Sequence, residues 1–293
     1  MTRSFLLAAT ALFLPAAAFA QNAAPATTAA APAAATASAP TLCTDRPTKA
    51  TSACTVPQGM LQFESDLVNW TRNNDGGVRT DTVLYTSPLI KYGVTESTDI
   101  EASITPYETI RTHDSTGSSS IHGVGDLYLR IKQRLTPTDA KAQFALEPYV
   151  KVPTARLGIG NRKVEGGLIG TGVFSLADGF SLTLTPEVDA LLDGDGHGHH
   201  AQYVGAFNIG KTLSSKLTAS AEVWTAQNGD PAGHVKQYSA DFAVAYLASP
   251  LLQLDAGTNI GLDRATPDVQ AYVGVSTRFY SEVLPAPLAP VRK

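Results

Sequence analysis

Side chains alternate between apolar and polar from Thr55 to Phe279, which is the period of a β-strand whose two faces meet different surroundings. Residues 141–152 show the pattern most cleanly, with Phe144 and Leu146 on one face and Glu147 and Lys151 on the other. A helix, which turns once in about 3.6 residues, would not sort the side chains in this way. The chain is therefore predicted to be all-β.

About twelve such segments follow one another, each long enough to cross a membrane as a tilted strand. They lie near residues 56–71, 79–92, 97–111, 121–136, 141–153, 163–177, 180–192, 200–212, 216–227, 235–247, 250–262 and 268–279.

The connections between these segments alternate between long and short. The long polar ones are Asn73–Gly77, Thr112–Ser120, Ala155–Arg162, Asp193–His199, Asn228–His234 and Asp263–Pro267. The short ones lie around residues 95–97, 137–139, 178–179, 214–215 and 249–250. Long outer loops and short periplasmic turns are typical of outer-membrane barrels. We predict an antiparallel up-and-down transmembrane β-barrel of about 12 strands.

A soluble β-sandwich is the alternative, because its strands also alternate. It predicts shorter strands, and it gives no reason for loop lengths to alternate.

The net charge of -4, from 22 Lys and Arg against 26 Asp and Glu, leaves no basic surface for nucleic acid.

The chain divides into four parts by composition. Residues 1–20 have a basic start, an apolar run and an Ala-Phe-Ala cleavage site, which predicts a cleaved signal peptide. Residues 21–54 are predicted to be a disordered Ala/Pro/Thr-rich spacer and a small loop bounded by Cys43 and Cys54. The barrel is expected at 55–280, followed by a proline-rich periplasmic tail at 281–293. In an oxidising exported compartment the two cysteines are expected to form a disulfide.

On the barrel interpretation, charged side chains on the polar face line the lumen, where opposite signs can pair across neighbouring strands. The predicted lumen-lining residues are Glu64, Asp66, Glu101, Asp126, Arg130, Lys132, Arg134, Glu147, Lys151, Glu187, Asp189, Glu222, Asp255 and Arg278. Arg130, Lys132 and Arg134 are expected to form a basic ladder that acts on ions in a confined pore.

The order of several short motifs resembles the MetA-pathway phenol-degradation family of outer-membrane β-barrels, which are often labelled only as transporters. The matching stretches are Asp45–Thr48, Thr55–Gly59, Gly123–Asp126, Pro148–Thr154, Asp255–Leu262 and Gly274–Phe279. The resemblance implies a barrel in the bacterial outer membrane that passes small, aromatic molecules. It implies no catalytic residues.

These features favour a Gram-negative outer-membrane channel for passive passage of small solutes, with membrane lipid and the barrel-assembly machinery as further partners and no cofactor. A closed structural or adhesive barrel is one alternative. A lipid hydrolase is another, which would need a histidine such as His113, His122 or His234 near a serine such as Ser115 or Ser118. Because G-x-S-x-G is absent from the sequence, we expect no enzyme and no catalytic residues.

A glycine-rich stretch at 193–200 carries His197, His199 and His200 beside two aspartates. Imidazole and carboxylate groups are ligands of Zn, Cu and Ni, so these histidines are weak candidates for a metal site. Since nothing in the sequence sets a ligand geometry, we expect a polar surface loop and no metal.

Overall fold

The structure, a computed structural model, describes residues 42–280. The predicted signal peptide, most of the predicted spacer and the C-terminal tail lie outside the described residues. Within the described part of the chain, no helix has the length and apolar character needed to cross a membrane.

The described residues form a single sheet of fifteen strands, with one short 3-10 turn at Ala177–Gly179. The strands are β1 Met60–Asp75, β2 Val78–Leu84, β3 Ser87–Gly93, β4 Thr98–Ile104, β5 Glu108–Asp114, β6 Gly117–Gly123, β7 Leu127–Arg134, β8 Ala142–Val152, β9 Glu165–Ser175, β10 Phe180–Leu192, β11 His199–Thr212, β12 Leu217–Asn228, β13 Val235–Ser249, β14 Leu252–Gly261 and β15 Val269–Tyr280.

The sheet closes on itself, because β15 pairs with β1 from Met60 opposite Tyr280 to Arg72 opposite Val269. All neighbouring strands are antiparallel. Three pairs, β2 with β3, β4 with β5 and β6 with β7, are the halves of long strands that are each interrupted once. The fifteen strands therefore make a closed barrel of twelve. This confirms the predicted fold class, and the sandwich alternative is wrong.

The predicted alternation matches the two faces of the wall. Phe144 and Leu146 of β8 are about 40% exposed, facing the surroundings of the barrel. Glu147 and Lys151, on the other face, are 3% and 6% exposed. Apolar side chains outside and charged side chains inside are the reverse of a soluble protein, and they suit a wall that lies in lipid.

Two of the predicted long outer loops are tight turns. The connection from β1 to β2 consists of Gly76 and Gly77, whose φ angles of +56° and +83° suit the two-residue hairpin turn that matches strand twist. The β5–β6 connection is Ser115 and Thr116, and the Asp114 carboxylate accepts a hydrogen bond from the backbone N–H of Thr116. The polar residues that were predicted to form these loops belong mostly to the strands, which are longer here than their sequence predicts.

The alternation of outer loops and periplasmic turns can be tested by labelling. Single cysteines at Ser118 and Gly229 are expected to react with an impermeant maleimide on intact cells, whereas cysteines at Thr138 and Ser215, at the opposite barrel end, are not. The native cysteines do not interfere, because they form a disulfide. Permeabilised cells are the control, in which all four positions should react. Equal labelling of the two pairs on intact cells would contradict this topology.

Candidate functional site

The segment of residues 42–58 lies inside the barrel; we call it the plug. Its side chains and backbone bond to residues of β1, β7, β9, β10, β12 and β14, and strands so far apart around the wall are within reach only from the lumen. The disulfide between Cys43 and Cys54 closes a loop within it. The candidate functional site is therefore the lumen together with the plug.

Arg46 anchors the plug to two wall carboxylates. Its guanidinium nitrogens lie 2.6 Å from Asp66 of β1 and 2.6 Å from Asp255 of β14. Burial by itself would lower the pKa of Arg46, but the two carboxylates outweigh it and raise the pKa. A guanidinium with two acidic partners holds its position more rigidly than a single ion pair would.

Asp45 makes the second anchor, with the opposite sign of charge. Its carboxylate accepts hydrogen bonds from the ammonium groups of Lys91 and Lys132, the latter at 2.7 Å. Burial by itself would raise the pKa of Asp45, but the two lysines outweigh it and lower the pKa well below the usual range. Lys132 also lies 3.1 Å from Glu147, and Lys91 lies 2.8 Å from Glu64. Asp45 thus joins a buried network of alternating charges.

A third set of contacts uses the plug backbone. The N–H groups of Lys49 and Ala50 donate to the Glu222 carboxylate at 3.0 and 2.9 Å, and the Val56 N–H donates to Asp99 at 2.8 Å. The Lys49 ammonium lies 3.1 Å from Asp241. It also lies over the ring of Trp224, which is a cation–π contact.

All fourteen residues predicted to line the lumen lie on the inner face of the wall, most of them in ion pairs or hydrogen bonds. Glu64, Asp66, Glu101, Lys132, Glu147, Glu222 and Asp255 belong to the plug anchors and their network. Asp126 pairs with Lys151, Arg130 with Glu147, and Arg278 with Gln62, while Arg134 donates to backbone carbonyls near the periplasmic turns. Glu187 and Asp189 line a cavity.

The predicted basic ladder is divided among different environments. Lys132 is fully buried among carboxylates, and Arg134 is held by the carbonyl oxygens of Glu96 and Thr136. Arg130 lines the cavity. Of these three residues, Arg130 is the one placed to act on a solute.

Sequence reasoning missed the plug and some of its partners on the wall. Lys91, Asp99 and Gln62 are buried inner-face residues that were not selected. Asp45 and Arg46 were noticed only as part of a motif. Their signal was a charged pair inside a cysteine-bounded loop, next to a barrel whose inner face is charged.

A cavity of about 540 Å³ lies beside the plug. Its walls include aromatic residues and charges of both signs, namely Tyr128, Tyr149, Trp224, Arg130, Glu187 and Asp189. The Tyr149 hydroxyl donates to Asp189 at 2.6 Å, which fixes the orientation of that ring. The cavity is large enough for a molecule of one aromatic ring, with hydrogen-bonding groups on its walls.

The histidines of the outer loops differ in their exposure and in their partners. His197 and His199 are exposed, whereas the His200 side chain is largely buried and lies 2.9 Å from Asp193. His113 and Ser118, candidates for a hydrolase, are 2.6 Å apart on an exposed hairpin. Among the described residues, no carboxylate or amide side chain is hydrogen-bonded to His113, so the orienting third member of a triad is not in place there.

The closed wall and the charged, filled lumen define an outer-membrane β-barrel. The chain belongs to the family described as "Putative MetA-pathway of phenol degradation", which matches residues 44–279 and so includes all but the first two residues of the plug. The resemblance of the short motifs to this family is confirmed. The barrel places the protein in the bacterial outer membrane.

Solved structures share the fold at low sequence identity. An outer membrane channel from Pseudomonas putida F1 has 13% identity and a TM-score of 0.62, over 78% of this chain and 98% of that one. The β-domain of the Bordetella autotransporter BrkA has 11% identity and a TM-score of 0.50, over 76% of this chain and all of that one. No curated protein matches the chain in sequence.

The Arg46 anchor can be tested through the glycine beneath it. A Cβ atom at Gly274 would lie 2.0 Å from the Arg46 guanidinium, so Gly274→Val is expected to displace Arg46 from its carboxylates. Gly205→Val is the control, because a Cβ there would meet its nearest neighbour at an ordinary 3.6 Å. Proteolysis of the plug in purified, folded protein should accelerate in the first variant only. Equal protection of the plug in both variants would contradict the anchor.

Proposed function

We propose that the protein is a channel for small solutes and that the plug controls how far the lumen opens. One observation carries the proposal. Among the described residues, Asp66, Asp241 and Asp255 have no Lys or Arg partner on the wall, and their cations, Arg46 and Lys49, come from the plug. A wall intended only to be closed would be filled more stably by apolar side chains than by ion pairs.

The plug is held by separable polar contacts. The contacts of Arg46, Asp45 and Lys49 are ion pairs and hydrogen bonds, and the plug shares no continuous strand ladder with the wall. Such contacts can be exchanged for water or for a polar solute without unfolding the barrel. This supports a segment that moves while the wall stays intact.

The solute class follows from the cavity beside the plug. Tyr128, Tyr149 and Trp224 offer aromatic surface, and Arg130 and Lys49 offer cations. Aromatic side chains pack favourably against a ring in offset or edge-to-face arrangements, and charged or hydroxyl groups orient its polar substituent. We therefore assign a small aromatic solute with a polar group, a class that agrees with the description of the family as belonging to phenol degradation.

Removing the main plug anchor should increase conductance. Arg46→Gln leaves Asp66 and Asp255 without their cation, and breaking a buried pair from one side costs about 3–5 kcal/mol. In planar bilayers we expect larger or longer conductance steps than for the native protein. Arg264→Gln, on an exposed outer loop, is the control and should behave as the native protein.

A bilayer without conductance steps would contradict the channel. If Arg46→Gln protein is folded and heat-modifiable, its plug is protease-sensitive and the bilayer still shows no steps, the barrel is a closed structural one.

Neutralising charged side chains that line the cavity tests whether ions pass through it. Arg130→Gln is expected to raise the cation preference of the open channel, and Asp189→Asn to lower it, because the two side chains line the same cavity. Reversal potentials in asymmetric salt measure both shifts. Arg134→Gln, held by carbonyl groups away from the cavity, should change the potential less. Shifts of the same sign in the first two variants would place the ion path elsewhere.

A further inference from the structure

Two outer loops meet at three side chains that metals commonly use as ligands. Asp193 lies at the start of the loop from β10 to β11, His200 lies near the start of β11, and Asp230 lies in the loop from β12 to β13. One carboxylate oxygen from each aspartate and one imidazole nitrogen lie within 4.8 Å of one another. Asp230 is 30 positions from His200 along the sequence, so only the fold brings them together.

His200 is the member whose environment is incomplete. Its side chain is 5% exposed. Its Nδ1 atom lies 2.9 Å from Asp193, and its Nε2 atom is buried with no hydrogen-bond partner among the described residues. A buried polar atom without a partner is costly, so the protein alone does not satisfy the His200 ring. The same ring in a flexible surface loop would meet water instead.

The charges of the group are also not balanced by the protein. Within the part of the chain that the structure describes, no lysine or arginine lies at salt-bridge distance from Asp193 or Asp230. The two carboxylates therefore lie together in a partly buried place with only an imidazole ring beside them. A divalent cation is the partner that such a group lacks.

The carboxylate of Asp230 is already held in place. It accepts hydrogen bonds from the backbone N–H groups of Gly194 and Ala232, both at 2.8 Å. Each carboxylate oxygen has a second lone pair, so these bonds orient the ligand and leave it able to bind a metal. Gly194 also has no Cβ where one would lie 2.9 Å from Asp230, which permits this close approach of the loops.

We propose that Asp193, His200 and Asp230 form a site for a divalent transition-metal ion of the Zn²⁺ class, which ties the two outer loops together. One imidazole and two carboxylates are a ligand set that Zn²⁺ accepts, with water in the fourth position. Bonds of about 2.0–2.2 Å place ligand atoms about 3–4 Å apart, so the group needs to contract by roughly an ångström. His197 and His199 are exposed and lie outside the group.

The site lies above the lumen cavity. Gln202, two residues along β11 from His200 on the same inward face, lines that cavity and donates to Asp189. An ion bound at the site would therefore hold the outer end of this part of the wall. This role is independent of the proposed solute and of the plug.

Titration of the full chain with Zn²⁺ tests the proposal. Detergent-purified, chelator-treated protein is expected to bind one Zn²⁺ per chain by calorimetry. Asp230→Asn, which keeps the shape of the side chain and one oxygen, should weaken binding by at least about tenfold, as should Asp193→Asn. The double variant His197→Ala, His199→Ala is the matched control from the same loop and should bind as the native protein does. Heat modifiability shows that each variant is folded.

Two results would overturn the proposal. One is native protein that binds no Zn²⁺. The other is loss of binding in the His197→Ala, His199→Ala control with retention in folded Asp230→Asn, which would assign the metal to exposed histidines of a mobile loop. A second measurement addresses the tether, since bound Zn²⁺ should slow proteolysis of residues 193–198 in the native chain and not in Asp230→Asn.

Discussion

The ladder between β1 and β15 is the constraint on which the rest of the structure depends. Backbone N–H and C=O groups have no water to bond with in a hydrocarbon layer, so a sheet there must close. Twelve pairs of residues, from Met60 with Tyr280 to Arg72 with Val269, close this one. The register also decides which side chains face lipid, because a slip by one residue would turn Glu64 and Asp66 outward.

Closure of a small barrel creates an interior that has to be filled. In this barrel the plug fills it through ion pairs and hydrogen bonds with the wall. The inner face holds carboxylates that no wall cation neutralises among the described residues, as for Asp66 and Asp255. Leaving such a group buried and unpaired is strongly destabilising. The plug supplies Arg46, Lys49 and several backbone N–H groups to these carboxylates. The wall and the plug therefore complete one another.

The wall also makes room for the plug by omitting side chains. A Cβ at Gly93 would lie 2.2 Å from the Pro57 carbonyl oxygen, and one at Gly274 would lie 2.0 Å from Arg46. Both glycines lie in barrel strands, where glycine otherwise weakens the sheet. Close approach of the plug is the physical reason for them here. The loss of local strand stability is offset by contacts that cross the lumen.

The sequence by itself determined the strands and their two faces, because alternation over ten or more residues has one simple solution in a membrane wall. The same alternation separates Glu147 and Lys151 from Phe144 and Leu146 within one strand. The sequence alone did not show that residues 42–58 enter the lumen, nor that Asp230 lies close to His200. Which distant groups meet depends on barrel closure, strand register and the tilt of the wall, which place residues from separate hairpins side by side. Local patterns carry no information on those distances, so the partner of each buried charge was decided only by the tertiary structure.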